Sequence, residues 1–518
     1  RDPAGGAKHM TDKVPIRLLP TGVPGLDAVL GGGVPEFSFN LIAGAPGSGK
    51  TTLAQHIMFT LAEPARPALY FTVLGEPPVK MLRYQQQFAF FDAAKVNDSI
   101  RFINVAQEVL EGGLSQILKR IVQEVEAASP GIVIVDSFRS ALRTAEREAA
   151  GPLEMQHFVQ QLGIHLTGWQ ATTFLVGEYQ TAEGAENPIF TVADGLLWLY
   201  QSVDRNSVVR KMQVVKSRGQ ASIPGLHTFR ITGDGIQVFP RLIVGPEEKS
   251  EPASSGGRRR PRPRVSTGIK RLDEMLGGGI PAGYSVLVAG PSGSGKTVLA
   301  QQFLAEGARR GEPGILAVFE KRPREQSQVG ARGRTLGRLV ADPQIGIIEA
   351  RPLDLSIDEA LDELSKAIAR LKARRLVIDS LSGFELALAP TFREDFRESL
   401  YRMVTALTGM GVTVMMTAEL EDSYVDLRFS PHGTAFLTDA IIMQRYIELQ
   451  GQLKRIMAVV KVRGSAHRKE LRAFEITEDG IVVGEALGGY VGLLTGHPEV
   501  TTGKKPKAGR RSGPRRAR

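Results

Sequence analysis

One eight-residue pattern occurs twice in this chain, and each occurrence constrains the fold around it. Gly44-Ala45-Pro46-Gly47-Ser48-Gly49-Lys50-Thr51 and Gly290-Pro291-Ser292-Gly293-Ser294-Gly295-Lys296-Thr297 both satisfy G-x-x-x-x-G-K-[ST]. Each follows an apolar run (FNLIAG, SVLVAG) and precedes a helical pattern (LAQHIMFTLA, VLAQQFLAEGA). In such a strand–loop–helix, glycines let backbone N–H groups close around phosphate oxygens, and the helix N-terminus adds partial positive charge. Lys50 and Lys296 are expected to reach a nucleotide's outer phosphates, and Thr51 and Thr297 to hold Mg²⁺ through their hydroxyls. Thr52 carries the first loop into its helix. A lone match can be a Gly-rich turn; two in the right context, inside a repeat, point to two nucleotide sites.

The repeat extends well beyond the loops. TGVPGLDAVLGGGVPEF from Thr21 answers TGIKRLDEMLGGGIPAG from Thr267. The offset is 246 at those threonines and at the loop lysines, 243 at Asp136 and Asp379, and 245 at Lys216 and Lys461. A near-constant offset over so long a stretch means two copies of one domain, not a short-period solenoid. At 518 residues the chain is in any case too long for one core. The first copy is expected at 11–243 and the second at 266–484. Between them, 244–265 reads as a linker, because VGPEEKSEPASSGGRRRPRPRV cannot build a core. Residues 1–10 (RDPAGGAKHM) read as an expression scar before a start at Met10, and 485–518 as a C-terminal extension.

Within each copy, short apolar runs alternate with helical stretches, as an α/β fold with a mainly parallel sheet requires. The runs are FNLIAG, ALYFTVL, SIRFINV, GIVIVD, ATTFLVGE and GLLWLY, then SVLVAG, GILAVFE, IGIIEA, RLVIDS, VTVMMTAE and AIIMQRY. Continuous apolar strands of this kind are buried on both faces, and ligands sit at their C-terminal ends. Two of those ends carry Asp136-Ser137 and Asp379-Ser380. A carboxylate there holds Mg²⁺, usually through water, opposite the loop threonine, although an isolated strand-end aspartate often merely caps the next helix. Glu178 and Glu419 form a second strand-end pair near the site, or are ordinary strand ends.

Composition narrows the classes. There is no cysteine, which excludes a disulfide framework and a Cys-based metal site, and no apolar run is long enough to span a bilayer. The expectation is a cytoplasmic protein without membrane contact. Net charge is +10, but Arg258–Arg264 carries five unopposed positive charges and Gly503–Arg518 eight; setting those thirteen aside takes the remainder to −3. The basic segments either contact nucleic acid or an acidic partner, or simply solvate the chain.

These residues together resemble the KaiC family of RecA-like ATPases, known from circadian clocks and clock-independent relatives. The resemblance covers Pro20–Pro240 and Ser266–Gly484. It rests on the TG…LD…LGGG-[VI]-P opening, the loops, the VDS and IDS strand ends, and closing segments VVKSRG…FRITGDGIQVF and VVKVRGSAH…FEITEDGIVV. It implies two tandem RecA-like P-loop NTPase domains binding ATP and Mg²⁺, Lys50, Thr51, Asp136, Lys296, Thr297 and Asp379 among the binding residues. It further implies a homohexameric double ring signalling to a protein partner. Through the shared K-x-R-G, Lys216 and Arg218, and Lys461 and Arg463, would reach the phosphates of a neighbouring subunit, where a cation stabilises the transferring phosphoryl group.

Some positions depart from the family. Members commonly carry paired glutamates on the strand after the loop helix, one of which activates the attacking water or hydroxyl. Here Glu320 is kept and Lys321 follows, while aligning Pro77 with Pro323 puts Leu74 opposite Glu320 and leaves Glu76 two residues late. The family's adjacent Ser/Thr autophosphorylation pair falls on Ala435-Phe436, with Thr434 and Thr438 as the nearby hydroxyls. Hydrolysis is therefore the favoured activity; protein-kinase action and a DNA-associated RecA-like motor are the alternatives.

Overall fold

The computed structural model describes residues 16–73, 78–137, 160–165, 168, 170–179, 188–204, 207–241, 262–319, 339, 341–349, 355–388, 392, 396–420, 437–449, 451–493 and 499–500. The chain splits into two compact units, Arg1–Ile243 and Val244–Arg518.

In the first unit nine strands form one sheet: β1 (Phe39–Gly44), β2 (Ala68–Thr72), β3 (Ile100–Asn104), β4 (Ile132–Asp136), β5 (Thr172–Glu178), β6 (Gly195–Asp204), β7 (Ser207–Ser217), β8 (His227–Thr232) and β9 (Gly235–Phe239). Their order is β9-β8-β7-β6-β1-β5-β4-β2-β3. Every pairing from β3 through to β6 is parallel, and the last three strands return antiparallel. All six residues of β1 are buried, as expected for a strand covered on both faces.

The second unit repeats this with β10 (Ser285–Gly290), β11 (Gly314–Val318), β12 (Ile345–Glu349), β13 (Arg375–Asp379), β14 (Thr413–Glu419), β15 (Ala440–Leu449), β16 (Gln452–Val462), β17 (Arg472–Thr477) and β18 (Gly480–Ala486), in the order β12-β11-β13-β14-β10-β15-β16-β17-β18. The expected fold class is therefore observed: two tandem α/β domains, each with a mostly parallel mixed sheet. The three antiparallel strands closing each sheet lie outside the βα rhythm that marked the other six.

The repeated TG…LD opening has a local physical reason. Asp27 accepts hydrogen bonds from Thr21 N at 2.8 Å and Thr21 Oγ1 at 2.6 Å, and Asp273 does the same for Thr267 at 2.8 and 2.7 Å. Each aspartate lies in the first turn of a short helix and ties the incoming chain to it.

Helices α1 (Lys50–Leu61) and α2 (Lys296–Arg309) follow the two loops and pack on the closing hairpins. In α1, His56 Nδ1 accepts from Ile236 N at 3.2 Å, and its ring stacks on Phe90 at 4.6 Å. Gln302 occupies the matching place in α2, where its Oε1 accepts from Ile481 N at 2.9 Å. The histidine must keep Nδ1 unprotonated to accept, and burial lowers its pKa. The unfolded chain then binds a proton that the fold refuses, so this contribution is intact above the unfolded histidine pKa and lost as pH falls below it. His56→Gln is expected to flatten the fall in melting temperature of the full chain between pH 7.5 and 5.5; an unchanged pH slope would refute it.

A charged contact distinguishes the second unit. Arg375 on β13 is fully buried; its Nε donates to Glu312 Oε2 at 2.8 Å, its Nη1 to the carbonyls of Phe303 and Ser266 at 2.7 and 2.8 Å, and its guanidinium lies 4.7 Å from the Phe303 ring centroid. In the first unit Ile132 stands in place of Arg375, and Arg66 in place of Glu312. Arg66 donates to Leu61 O at 3.1 Å and lies so close to Gly131 that a Cβ there would come within 2.2 Å of its Cγ.

Candidate nucleotide and magnesium site

The register of each sheet sets the site. Gly44 pairs with Glu178 on one side and Leu199 on the other, so the first loop leaves the C-terminal edge of the sheet beside a carboxylate. Gly290 likewise pairs with Glu419. Gly49 and Gly295 end the loops at φ 99° and 110°, a region where a side chain is strained. A Cβ there would also press on Ile231 Cδ1 at 2.7 Å and on Ile476 Cδ1 at 2.9 Å, so the closing hairpin braces the loop. Among the described residues neither α1 nor α2 has a side-chain cap at its N-terminus, so the first N–H groups stand uncapped beside the loop.

Lys50 Nζ folds over its loop to Ala45 O at 2.7 Å, and Lys296 Nζ reaches Gly290 O and Pro291 O at 2.9 and 2.8 Å. Burial lowers the Lys50 pKa, while Glu178 and then Asp136 act in the opposite sense and favour its charge. Ser48 Oγ is fully buried with no partner among the described residues, whereas its counterpart Ser294 Oγ donates to Gln444 Oε1 at 3.1 Å. Thr51 Oγ1 donates to Asp136 Oδ2 at 2.8 Å. In the second unit Thr297 Oγ1 stands 3.4 Å from Asp379 Oδ1. A hydroxyl and a carboxylate brought together this way supply two hard oxygen ligands, the set that Mg²⁺ takes alongside phosphate and water. The residues present fit both the nucleotide and the ion. The peptide bonds following Asp136 and Asp379 are cis.

Two further side chains belong to this cluster. Tyr70 OH donates to Asp136 Oδ2 at 2.6 Å, and Thr417 Oγ1 to Asp379 Oδ1 at 2.6 Å. Burial raises the Asp136 pKa, opposed by the hydroxyls of Tyr70 and Thr51 and by Lys50. Neither Tyr70 nor Thr417 matches a motif, and no spacing rule pointed to them; only the strand order does.

The K-x-R pairs lie at the other end of each sheet. Lys216 on β7 pairs with Leu196, and Arg218 N donates to Asp194 O, which places Arg218 level with Phe39 at the start of β1. Five strand residues, about 16 Å, separate that level from Gly44. Lys216 Nζ donates to Phe190 O and Thr191 O at 3.2 and 2.9 Å, and Arg218 pairs with Asp194 at 3.1 Å. The second unit repeats this: Lys461 Nζ reaches Thr438 O at 2.7 Å, and Arg463 stands 3.5 Å from Asp439. The Arg218 and Arg463 side chains are 57% and 63% exposed, so both guanidinium groups are offered outward. Each chain therefore presents its loop and its K-x-R pair at opposite edges, and neither pair is placed to serve its own loop.

A sequence model of the KaiC ATPase family matches residues 19–243 and again 265–488. The chain belongs to the KaiC family. It is 27% identical over 494 residues to the circadian clock oscillator protein KaiC of a Picosynechococcus strain, covering 93% of this chain and 92% of that protein. Proteins of the same name from Parathermosynechococcus lividus and Rippkaea orientalis are also 27% identical, over 95% and 96% of this chain and 90% and 94% of theirs.

Against that family, several sequence expectations fall outside the described residues: Leu74, Glu76, Glu320, Lys321 and the Thr434-Ala435-Phe436 stretch. Thr438 is described and only 1% exposed, so its hydroxyl is not presented to solvent as a phosphate acceptor would be. Among the described residues, no helix is long and apolar enough to cross a membrane.

Proposed function

We propose that this KaiC-family chain is a cytoplasmic ATP-hydrolysing ring protein, six subunits in a double ring, that passes conformational change to a protein partner. The observation that carries this reading is the separation of loop and K-x-R pair to opposite edges of each sheet. Subunits joined head to tail bring the K-x-R edge of one against the loop of the next, and such a contact repeated by rotation closes into a ring. Bound Mg²⁺ and ATP supply the electrophilic phosphoryl group and neutralise charge on its oxygens. Gly44–Thr52 and Gly290–Thr297 wrap the phosphates, Lys50 and Lys296 set positive charge beside the outer ones, and Asp136 and Asp379 orient the ion with Thr51 and Thr297. Lys216, Arg218, Lys461 and Arg463 answer charge from the neighbouring subunit. Light scattering with a saturating ATP analogue tests this: a hexamer mass is expected, and a monomer mass rejects it.

A general base must come within hydrogen-bond reach of the attacking water, directly or through one water. Glu320 occupies the place where the family carries its base, and Leu74 the same place in the first half. The second half then performs most of the turnover, and the first binds ATP and hydrolyses it slowly. Glu320→Gln, which keeps size and removes basicity, is expected to abolish the larger share of steady-state phosphate release, and Glu76→Gln the smaller. The opposite ranking would reverse the assignment.

A further inference from the structure

Each magnesium-binding aspartate receives two hydroxyl groups, one from its loop threonine and one from a flanking strand. The flanks differ between the two halves. Tyr70, with its ring fully buried on β2, reaches Asp136 from the side of β4 away from the loop strand. Its counterpart in the second unit is Leu316, which has no hydroxyl. There Thr417 takes the task from β14, on the side of β13 toward the loop strand, and its own counterpart in the first unit is Val176. In the first unit Tyr70 and Thr51 load the same oxygen, Oδ2, at 2.6 and 2.8 Å. In the second, Thr417 and Thr297 converge on Oδ1 at 2.6 and 3.4 Å. The halves thus solve one problem, how to hold a strand-end carboxylate in a single orientation, with different residues from opposite neighbours.

We propose that Tyr70 and Thr417 are the positioning residues of the two magnesium sites, each fixing the carboxylate that meets the ion without touching the ion itself. This rests on Asp136 and Asp379 being the metal carboxylates. A ligand carboxylate held by an outer hydrogen bond is already oriented when the ion arrives, and loss of such a partner weakens metal binding about 10- to 100-fold. Since Tyr70 serves only the first site and Thr417 only the second, the two magnesium affinities of one chain are separately adjustable.

The test follows each site by itself. A photoreactive, non-hydrolysable ATP analogue is crosslinked to the full-length protein while Mg²⁺ is titrated, and peptide mapping gives the occupancy of each loop. Tyr70→Phe is expected to raise the Mg²⁺ concentration for half-maximal labelling of the first loop about tenfold and leave the second loop unchanged. Thr417→Val should do the reverse, and Thr417→Ser, which keeps the hydroxyl, should restore the parental midpoint. Labelling in EDTA should be unaffected in all three. Midpoints within about twofold of the parent for both variants overturn the proposal, because an outer partner of a ligand is worth more than that. Loss of labelling in EDTA as well marks the residue as structural and also overturns it. If labelling of the parent itself ignores Mg²⁺, the metal-carboxylate reading falls, and the proposal with it.

Discussion

Replacing Lys50 and Lys296 together by alanine is expected to lower steady-state phosphate release at least about a hundredfold, the usual cost of removing a preorganised charge from a reacting centre. Each lysine lies over its own loop within 3 Å of a loop carbonyl, where its charge would sit beside the outer phosphates. The single variants should each lose nucleotide at one half only: Lys50→Ala at the first loop, Lys296→Ala at the second. Equilibrium binding of a labelled ATP analogue should show parental stoichiometry halved in each single variant and abolished in the double. Loss of the Lys50 charge also leaves Glu178 and Asp136 as neighbouring carboxylates without the cation that couples to both, which disfavours an incoming polyanion further. A double variant that hydrolyses ATP at the parental rate would show that the loops are not where the chemistry happens.

Mixing two inactive variants is expected to regenerate activity. Arg463→Ala keeps the second loop and loses the cation offered to its neighbour, and Lys296→Ala does the opposite. If the K-x-R pair acts on its own subunit, no mixture of the two has an intact second-half site. If it acts across the interface, a ring assembled from equal amounts places an intact loop beside an intact arginine at about a quarter of its interfaces. Alone, Arg463→Ala should cost the second half roughly a thousandfold or more in rate, the range for an arginine supplied in trans, with nucleotide binding reduced far less. Phosphate release by co-refolded mixtures, read against the first half's constant background, measures the recovery. No gain over the separate proteins would place the K-x-R pair on its own subunit's site, or outside the chemistry altogether.

Much of this was visible in the sequence because it is governed by local patterns. The loops announce themselves through closely spaced glycines, each set followed by a lysine and a threonine at the start of a helix. The strands do so through largely apolar runs such as FNLIAG, and Asp136 and Asp379 through their place at the ends of such runs. The duplication made each of these visible twice. What escaped depends on neighbours across the sheet. Tyr70 sits inside a run that looks purely apolar, and its hydroxyl has a purpose only because β2 lies beside β4. Thr417 is likewise one of several threonines near a strand end until β14 is known to lie beside β13. In the sequence the closing antiparallel strands register only as a segment with a K-x-R signature. That signature's position at the far edge of the sheet follows from β7 running back along β6, a reversal that no local spacing encodes.

The buried Arg375 has a consequence for how such a chain sorts itself out while folding. A polypeptide that carries one architecture twice risks a strand of one copy docking into the other, a characteristic failure of repeat proteins. Were β13 to take the place of β4, its guanidinium would leave Glu312 behind and be brought in beside Arg66, a cation that already shares the nearby Glu63 carboxylate at 3.4 Å. The reciprocal exchange would set Ile132 against Glu312 and leave that carboxylate without its cation. Breaking a fully buried ion pair by removing one partner costs roughly 3–5 kcal/mol, and a part of that penalty falls on the crossed product, since Arg375 is fully buried while the Glu312 side chain keeps 30% exposure. The divergence of the two copies at Arg375 and Arg66 is thus expected to act as an address label that disfavours each strand in the other domain.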